Sequence, residues 1–359
     1  MEGNSLFIGS YTTTLGHVTG QGAGIYRVMF DPVTRALGEV TLAAELPNPS
    51  YLAYAPGLMR LYAVEESSPS GEPRIVAFAV SPDDELLELN SRPALGGAPC
   101  HALVDPAEKW LFVAYYAGAM AAVYPLAEGG LLGDAIEVIR LTGSGPNAAR
   151  QEASHPHACV LDRLGNYLFV PDLGTDRIMV YRFDAETGKL SPLPPGLALP
   201  GAGPRHLAVH PDNRFLYVAN ELNATVTLYA HDEGNLTALQ SFSTVPAGLS
   251  GDAAPAAVRL THDGRFLYVS NRVRGATNGQ YTLAAFAVDG ENGALTNLGY
   301  YATGGVTPRD FIITDNSLLA ANQDAHNLTA FSLDSVTGVL TPAGAPVSVP
   351  SPACLVQAV

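Results

Sequence analysis

The chain has few of the residues that mark nucleic-acid-binding or disulfide-stabilised proteins. Of its 359 residues only 19 are Lys or Arg, against 34 Asp and Glu, and the formal net charge is −15. Only Lys109 and Lys189 are lysines. Because phosphate backbones require a basic surface, we do not expect nucleic acid as a partner. The three cysteines, Cys100, Cys159 and Cys354, are far apart and odd in number, which predicts buried free thiols rather than disulfides or a metal site.

Long apolar segments are also missing. No run of about 18 apolar residues occurs, so we expect no transmembrane helix and no membrane partner. Residues 1–7 have neither a basic region nor a long apolar region, which predicts a cytoplasmic protein without a signal peptide. Sustained helical apolar stripes are absent, which indicates very little helix. GxSxG, P-loop, HExxH and CxxC motifs do not occur either, which argues against the enzyme classes that they mark.

Turns and an internal repeat are what the chain has in quantity. It contains 36 glycines and 27 prolines. Seven of the prolines start a recurrent segment, and they stand at positions 49, 99, 156, 204, 255, 308 and 352. After each of the first six come an apolar strand, a turn and a second strand of the Leu-Tyr-Val type. The second strand ends 17 residues after the proline in the first five repeats and 15 residues after it in the sixth. A period of about 50 residues is typical of propeller blades.

Each repeat continues with two further strands, and four antiparallel strands make one blade of a β-propeller. The seventh unit is split between the two ends of the chain. Residues 352–359 supply its first strand, whereas residues 6–11, 24–30 and 37–46 supply the other three. Pairing the two ends removes an exposed sheet edge. We therefore predict an all-β, seven-bladed β-propeller that is closed by its N- and C-terminal strands and forms a single domain over residues 1–359.

Strand direction predicts where polar residues gather. Since antiparallel strands alternate in direction, the start of each first strand and the end of each second strand lie on one face. The strand-one starts carry Tyr51, His101, His157, Arg205, His206 and Arg309. The strand-two ends carry Tyr11, Glu65, Glu66, Tyr115, Asp172, Asn220, Glu221, Asn271, Arg272, Asn322 and Gln323. Insertions at residues 12–23, 67–73, 143–154 and 273–280 reach the same face, either as a lid or rim or as tolerated surface loops.

Side-chain chemistry narrows this ring of polar residues to a candidate catalytic set. His157 is a candidate general base near neutral pH. Arg205 and Arg272 are suited to binding a carboxylate or phosphate, or to stabilising an oxyanion as it develops. Glu221 is placed to orient the histidine, to activate water or to neutralise an arginine. The structural alternative is a buried ion pair between an arginine and Glu221 or Asp172.

Further residues of the ring are weaker candidates. Arg309 and Gln323 are possible binding residues, whereas His206, next to Arg205, should point the other way along its strand and serve the structure. A zinc site on the histidines or a calcium site on the carboxylates is conceivable. The zinc site would require three blades to converge closely, and arginines interleaved among the carboxylates argue against calcium, so we expect no metal.

Several segments resemble the lactonase family of seven-bladed propellers, which includes cycloisomerase-type 6-phosphogluconolactonases and fungal carboxy-cis,cis-muconate cyclases. The resemblance runs through essentially the whole chain. It is carried by residues 7–12 (Phe-Ile-Gly-Ser-Tyr-Thr), 48–51 (Asn-Pro-Ser-Tyr), 155–157 (His-Pro-His) with 169–174, 203–206 (Gly-Pro-Arg-His), 217–221 (Tyr-Val-Ala-Asn-Glu), 268–272 (Tyr-Val-Ser-Asn-Arg), and 308–309 with 321–323.

This resemblance implies a metal-independent reaction, without a cofactor, that opens or closes a lactone. It implies an active-site set made of His157, Arg205, Glu221 and Arg272. Together with the strand-end residues it leads us to expect substrate contacts from Arg309, Gln323, Asp172, His101 and Tyr51.

The prediction is a monomeric lactone hydrolase, most like 6-phosphogluconolactonase, that acts on a small anionic lactone derived from a sugar. Water attacks the lactone carbonyl after His157 or Glu221 removes its proton, and arginines stabilise the oxyanion. Two alternatives stay open. One is a muconate-type lactonising cycloisomerase that uses the same residues, and the other is a non-enzymatic propeller scaffold in which the charged ring is only an ion-pair network.

Overall fold

The structure is a computed structural model that describes residues 4–67, 71–249, 252–274 and 282–358. These residues form seven four-stranded antiparallel sheets and one two-stranded hairpin. The amino-terminal strands are β1 (Asn4–Ser10), β2 (Thr14–Leu15), β3 (Val18–Thr19), β4 (Gly24–Phe30) and β5 (Thr41–Glu45). Strands β2 and β3 pair with each other and form the hairpin.

Six sheets follow in chain order, each built from four consecutive strands, and we number them blades 1 to 6. Blade 1 has β6 (Pro49–Ala55), β7 (Arg60–Glu65), β8 (Arg74–Val80) and β9 (Leu86–Pro93). Blade 2 has β10 (Pro99–Val104), β11 (Trp110–Tyr115), β12 (Met120–Pro125) and β13 (Glu137–Arg140). Blade 3 has β14 (Val160–Leu161), β15 (Tyr167–Asp172), β16 (Arg177–Phe183) and β17 (Leu190–Leu197).

The second half of the chain repeats the arrangement. Blade 4 has β18 (Pro204–Val209), β19 (Phe215–Asn220), β20 (Thr225–Asp232) and β21 (Asn235–Ser243). Blade 5 has β22 (Asp252–Leu260), β23 (Phe266–Arg274), β24 (Thr282–Val288) and β25 (Leu295–Ala302). Blade 6 has β26 (Pro308–Ile313), β27 (Ser317–Asn322), β28 (Asn327–Leu333) and β29 (Leu340–Ser348).

The closing blade joins the two ends of the chain. The last strand, β30 (Pro352–Ala358), pairs antiparallel with β1, and the strand order is β30-β1-β4-β5. The predicted seven-bladed propeller and its split blade are therefore confirmed. Among the described residues the only helical segment is the 3-10 turn Glu128–Gly130, and no helix of the described chain has the length and apolarity needed to cross a membrane.

The second strand of each blade is buried on both faces because neighbouring blades pack face to face. All six residues are buried in β11, β15, β19 and β27. Between blades 1 and 2, for example, Tyr62 and Val64 pack in one cluster with Leu111 and Val113. This double burial explains why the second strands read as continuous Leu-Tyr-Val segments rather than as alternating ones.

A β-bulge follows the aligned proline in several first strands. Pro204 pairs with Asn220 and His206 pairs with Ala219, so Arg205 has no partner across the ladder. The same offset leaves three other residues without a partner across the ladder, each directly after its proline: Ser50, Cys100 and Arg309. Because an extra residue bends the strand and re-aims side chains, these bulges decide which side chains reach the end of the ring. The alternating pattern of the sequence did not predict them.

Blade 3 departs from the predicted pattern. The strand expected after Pro156 is only two residues long, and Pro156 itself makes an isolated bridge to Asp172. The Asp172 carboxylate accepts the backbone N–H of His155 at 2.6 Å. The backbone before β14 is thus held by a side chain instead of a regular ladder.

Ring closure should be a major source of stability. Leu355 on β30 is 4% exposed and packs with Leu6 and Ile8 of β1. We expect Leu355→Ala to lower the free energy of unfolding by about 2 to 5 kcal/mol, because it opens a cavity at the seam. Denaturant unfolding measures this loss. Val336→Ala, at a position 76% exposed, is the control, and equal stability of the two variants would contradict a closure that depends on this seam.

Candidate active site

A cavity of about 370 Å³ opens at the end of the ring where the first strands begin. It is lined by Leu15, His17, Glu66, Ser67, Ala98, Cys100, Tyr116, Arg150, His157, Glu221, Arg272 and Arg309. A larger and shallower groove of about 660 Å³ lies beside it, around the β2–β3 hairpin, Asp324 and His326. We assign the site to the smaller cavity, because only that one is lined by residues predicted to be catalytic.

Glu221 is the centre of the site. Its Oε2 lies 2.7 Å from Nη2 of Arg272 and 3.1 Å from Nε of Arg205, and its Oε1 lies 2.5 Å from Nη2 of Arg150. The Glu221 side chain is only 4% exposed. Burial acts to raise the pKa of Glu221, but the charges of Arg272, Arg205 and Arg150 outweigh burial and hold that pKa well below its ordinary value. The carboxylate is therefore ionised and saturated with cations.

Three strand segments and one loop hold this cluster. Glu221 directly follows β19, Arg205 occupies the bulge of β18, and Arg272 is on β23. The backbone of blade 5 fixes two of the guanidinium groups, because Arg205 Nη1 donates to the Ala256 carbonyl at 2.8 Å and Arg272 Nε donates to the Ala254 carbonyl at 3.2 Å. The two arginines are thus oriented by neighbouring backbone as well as by Glu221.

Arg150 was not singled out from the sequence. Arg150 lies in the predicted insertion at residues 143–154. The residue that follows it, Gln151, anchors this insertion. Gln151 is fully buried, and its Nε2 donates to the Leu173 carbonyl and to Asp176 Oδ1, each at 2.8 Å. The sequence contained one indication of this role. Arg150 is the single arginine of the insertion at residues 143–154, and that insertion is predicted to reach the face of the ring that carries the polar residues.

His157 lines the cavity beside the arginines. Its backbone N–H donates to the Pro171 carbonyl at 2.9 Å, and its Nδ1 lies 3.8 Å from Sγ of Cys100. Burial, reinforced by the charge of Arg205, lowers the pKa of His157 well below its ordinary value. Burial also raises the pKa of Cys100 to about 12. The pair is therefore a neutral imidazole beside a neutral thiol, and the imidazole is able to accept a proton.

Arg309 belongs to a second polar group that lines the same cavity. Its guanidinium lies over the ring of Tyr11, with 4.9 Å between the guanidinium carbon and the ring centroid, which is a cation–π contact. The Tyr11 hydroxyl donates to Glu66 Oε2 at 2.7 Å. His17, from the β2–β3 hairpin, brings its Nε2 within 3.3 Å of the same hydroxyl. The first insertion thus covers part of the cavity.

Other predicted substrate contacts lie outside the cavity lining. Gln323 is buried and holds Arg309 from behind, because Arg309 Nη1 donates to Gln323 Oε1 at 3.3 Å. The Asp172 carboxylate is occupied by Ser154, Thr175 and backbone N–H groups. Gln323 and Asp172 therefore support neighbouring groups of the site and do not line the cavity.

Tyr51 and His101 lie in the central channel below the catalytic cavity. They share an axial cavity of about 310 Å³ with His206. The ring centroids of Tyr51 and His101 are 4.2 Å apart, and those of His157 and His206 are 5.5 Å apart. His157 therefore separates the catalytic cavity from the channel.

One rule of position explains this division. Residues directly after the proline, such as Cys100 and His157, reach the catalytic cavity, whereas the next residues, such as His101 and His206, face the channel. At the ends of the second strands, Glu221 and Arg272 stand 17 residues after their prolines and reach the cavity. Asp172, Asn220 and Asn271 stand 16 residues after theirs and are buried within the ring. Adjacent residues point to opposite sides of a strand.

Two of the four predicted insertions are only partly visible. Residues 68–70 and 275–280 lie outside the described residues. All three cysteines are free and buried, as predicted. Within the described ranges no three His, Cys, Asp or Glu side chains converge to hold a metal ion.

Known proteins share both this fold and the length of this chain. The family model described as Lactonase, 7-bladed beta-propeller, matches residues 5–357. The 6-phosphogluconolactonase of Bacillus subtilis is 34% identical over 354 residues, which are 97% of each chain. That of Formosa agariphila is 31% identical over 327 residues, which are 89% of each. The solved structure of the periplasmic gluconolactonase of Pseudomonas aeruginosa superposes with a TM-score of 0.89, at 30% identity and over 99% of both chains.

These relationships confirm the predicted enzyme class, a lactonase, over the alternative of a binding scaffold. The chain therefore belongs to the lactonase family of seven-bladed β-propellers.

Proposed function

We propose that the protein hydrolyses a small anionic lactone derived from a sugar, in the manner of 6-phosphogluconolactonase. The charge balance of the cavity carries this proposal. Arg150, Arg272 and Arg309 line the cavity, and Arg205 lies behind its lining and pairs with Glu221. These arginines have only two carboxylates near them, Glu66 and Glu221. Four cations against two anions leave an excess of two positive charges in a protein whose net charge is −15. A local positive excess of this kind favours an anionic substrate and the oxyanion of an ester hydrolysis.

His157 is the better of the two candidate bases. Burial keeps the His157 imidazole neutral, so it is in the form that accepts a proton. The oxygens of Glu221 are already engaged by three guanidinium groups, so they are less available to a water molecule. We assign Glu221 to positioning the arginines, and His157 to removing the proton from the attacking water.

The reaction then proceeds as an acyl transfer to water. The water oxygen forms a bond to the lactone carbonyl carbon, and the carbonyl oxygen becomes an oxyanion beside the guanidinium groups of Arg205 and Arg272. The bond from the carbonyl carbon to the ring oxygen breaks as the intermediate collapses. Imidazolium His157 returns its proton to the leaving alkoxide, and the product is a hydroxy acid that releases a proton to solvent.

Arg309 and Arg150 are left to bind the anionic group of the substrate. Arg309 lines the cavity and is held over the ring of Tyr11, and guanidinium groups match carboxylate and phosphate geometry. Two of the relatives are named 6-phosphogluconolactonases, which supports a phosphorylated sugar lactone. The cytoplasmic location stays a prediction because the Pseudomonas aeruginosa relative is periplasmic, and the monomeric state stays a prediction too.

Loss of one guanidinium group should lower the rate far more than the stability. We expect Arg272→Ala to reduce kcat for 6-phosphogluconolactone by about 10² to 10³, because Arg272 lines the cavity and contacts Glu221. Acid release in a pH-stat measures the rate. Arg214→Ala is the matched control, since that arginine is 53% exposed and pairs with Asp212 in a distant turn. Wild-type activity in Arg272→Ala would contradict the proposal, and consumption of a muconate without lactone hydrolysis would indicate the cyclisation alternative.

The pH dependence follows from the lowered pKa of His157. A histidine whose pKa is depressed stays neutral, and therefore able to act as a base, as the pH falls below the ordinary value of 6.5. We expect kcat/KM to stay level from pH 7 down through 6.5 and to fall only at more acidic pH. Initial rates on gluconolactone, corrected for uncatalysed hydrolysis, test this. An acidic limb centred at or above pH 6.5 would contradict His157 as a buried base.

A further inference from the structure

A second cavity adjoins the catalytic cavity and shares two of its lining residues. It has a volume of about 460 Å³, within the range of about 300 to 1,000 Å³ that is usual for ligand sites. Arg150 and Glu221 line both cavities. The other described residues of this side cavity are Asn147, Leu222, Asn223, Ala224, Val245, Leu249, Asp252, Ala253 and Ala254.

The side cavity differs from the catalytic cavity in charge. It has one guanidinium, of Arg150, against the carboxylates of Glu221 and Asp252, so it does not favour an anion. Asn223 and Asn147 use their side-chain oxygens to accept from Thr225 Oγ1 and from the Ala149 N–H. Within the described part of the chain neither side-chain nitrogen has a hydrogen-bond partner, so both can donate to a ligand. Amide donors, a carboxylate acceptor and small apolar side chains suit a neutral, hydroxyl-rich group.

Arg150 forms a removable partition between the two cavities. Its side chain is 29% exposed and reaches Glu221 from the loop at residues 143–154. If Arg150 swings away, Glu221 still keeps Arg205 and Arg272 within 3.1 Å and 2.7 Å. The movement therefore leaves no buried charge unpaired, which would otherwise make it costly. Arg150 also gives up a hydrogen bond with the Tyr116 side chain when it moves, whereas Arg205 and Arg272 are bound in addition by the backbone of blade 5.

We propose that the side cavity is a subsite for a second, uncharged sugar unit attached to the lactone ring. The lactone carbonyl lies at His157 and the arginines, and the attached sugar passes Arg150 and occupies the side cavity. The enzyme then accepts lactones of glycosylated aldonic acids as well as those of single sugars. This inference rests on the proposed lactone hydrolysis and extends it to disaccharide lactones.

The test compares cellobionolactone with gluconolactone on the full-length enzyme, and the uncatalysed rate is subtracted. Ala253→Trp fills the side cavity from a position whose own side chain makes no hydrogen bond or ion pair with Glu221. We expect it to lower kcat/KM for cellobionolactone by about tenfold or more, and to change kcat/KM for gluconolactone by less than about twofold. Ala107→Trp, in an exposed turn of blade 2 between β10 and β11, is the control for an added indole.

A second variant keeps the test informative if Ala253→Trp misfolds. Asn223→Ala removes an exposed amide and should lower kcat/KM for cellobionolactone alone, by about threefold to tenfold. Parallel losses on both lactones, or no loss on either, would overturn the subsite. Turnover of gluconolactone by the wild type without turnover of cellobionolactone would overturn the subsite and leave the proposed function intact. No turnover of either lactone, or of 6-phosphogluconolactone, would overturn both.

Discussion

The site depends on one buried carboxylate that three guanidinium groups share. Glu221 is almost inaccessible to solvent and has Arg150, Arg205 and Arg272 within 3.1 Å. A buried charge is costly unless it is paired, and clustered arginines repel one another unless a carboxylate lies among them. Glu221 therefore makes the assembly of the arginines possible. The excess positive charge that remains, with Arg309 included, is what a substrate anion or an oxyanion can use.

Ring closure is what brings these charges together. The groups around the cavity come from every blade: Tyr11 from the closing blade, Glu66 from blade 1, Cys100 and Tyr116 from blade 2, His157 from blade 3, Glu221 and Arg205 from blade 4, Arg272 from blade 5, and Arg309 from blade 6. Each blade supplies a short polar stretch at one end of a buried strand. The rigid apolar sheets fix the positions of these groups, so the geometry of the site and the stability of the ring are coupled.

Much of this arrangement could be predicted from the sequence because it is periodic. The recurrent prolines and apolar strands predicted the blades. The alternation of strand direction predicted the face of the ring on which the candidate catalytic residues lie. The bulges could not be predicted, since a one-residue offset leaves no mark in an apolar pattern. They separate Arg205, which pairs with Glu221 behind the lining of the catalytic cavity, from His206, which faces the channel. The same effect places His101 and Tyr51 in the channel, although the sequence suggested substrate contacts for both.

Contacts made by loops could not be predicted from the sequence either. Arg150 reaches Glu221 because Gln151 is buried and bonded to Leu173 and Asp176 in one turn of blade 3, and nothing in the local pattern of residues 143–154 indicates that anchor. Asp172 stands at a strand end like Glu221 but one position earlier in its repeat, so its carboxylate turns to the backbone of its own blade. Position within the repeat, rather than residue type, separates a site residue from a supporting one.

The most direct test of this account is to remove the charge of Glu221 and keep its shape. In Glu221→Gln the clustered guanidinium groups lose their shared anion, and we expect the free energy of unfolding to fall by about 3 to 5 kcal/mol. Thermal unfolding with and without sulfate should show that the anion raises the melting temperature of the variant more than that of the wild type, because it replaces the lost charge. A variant with wild-type stability, wild-type lactone turnover and no added response to sulfate would contradict the central role of Glu221.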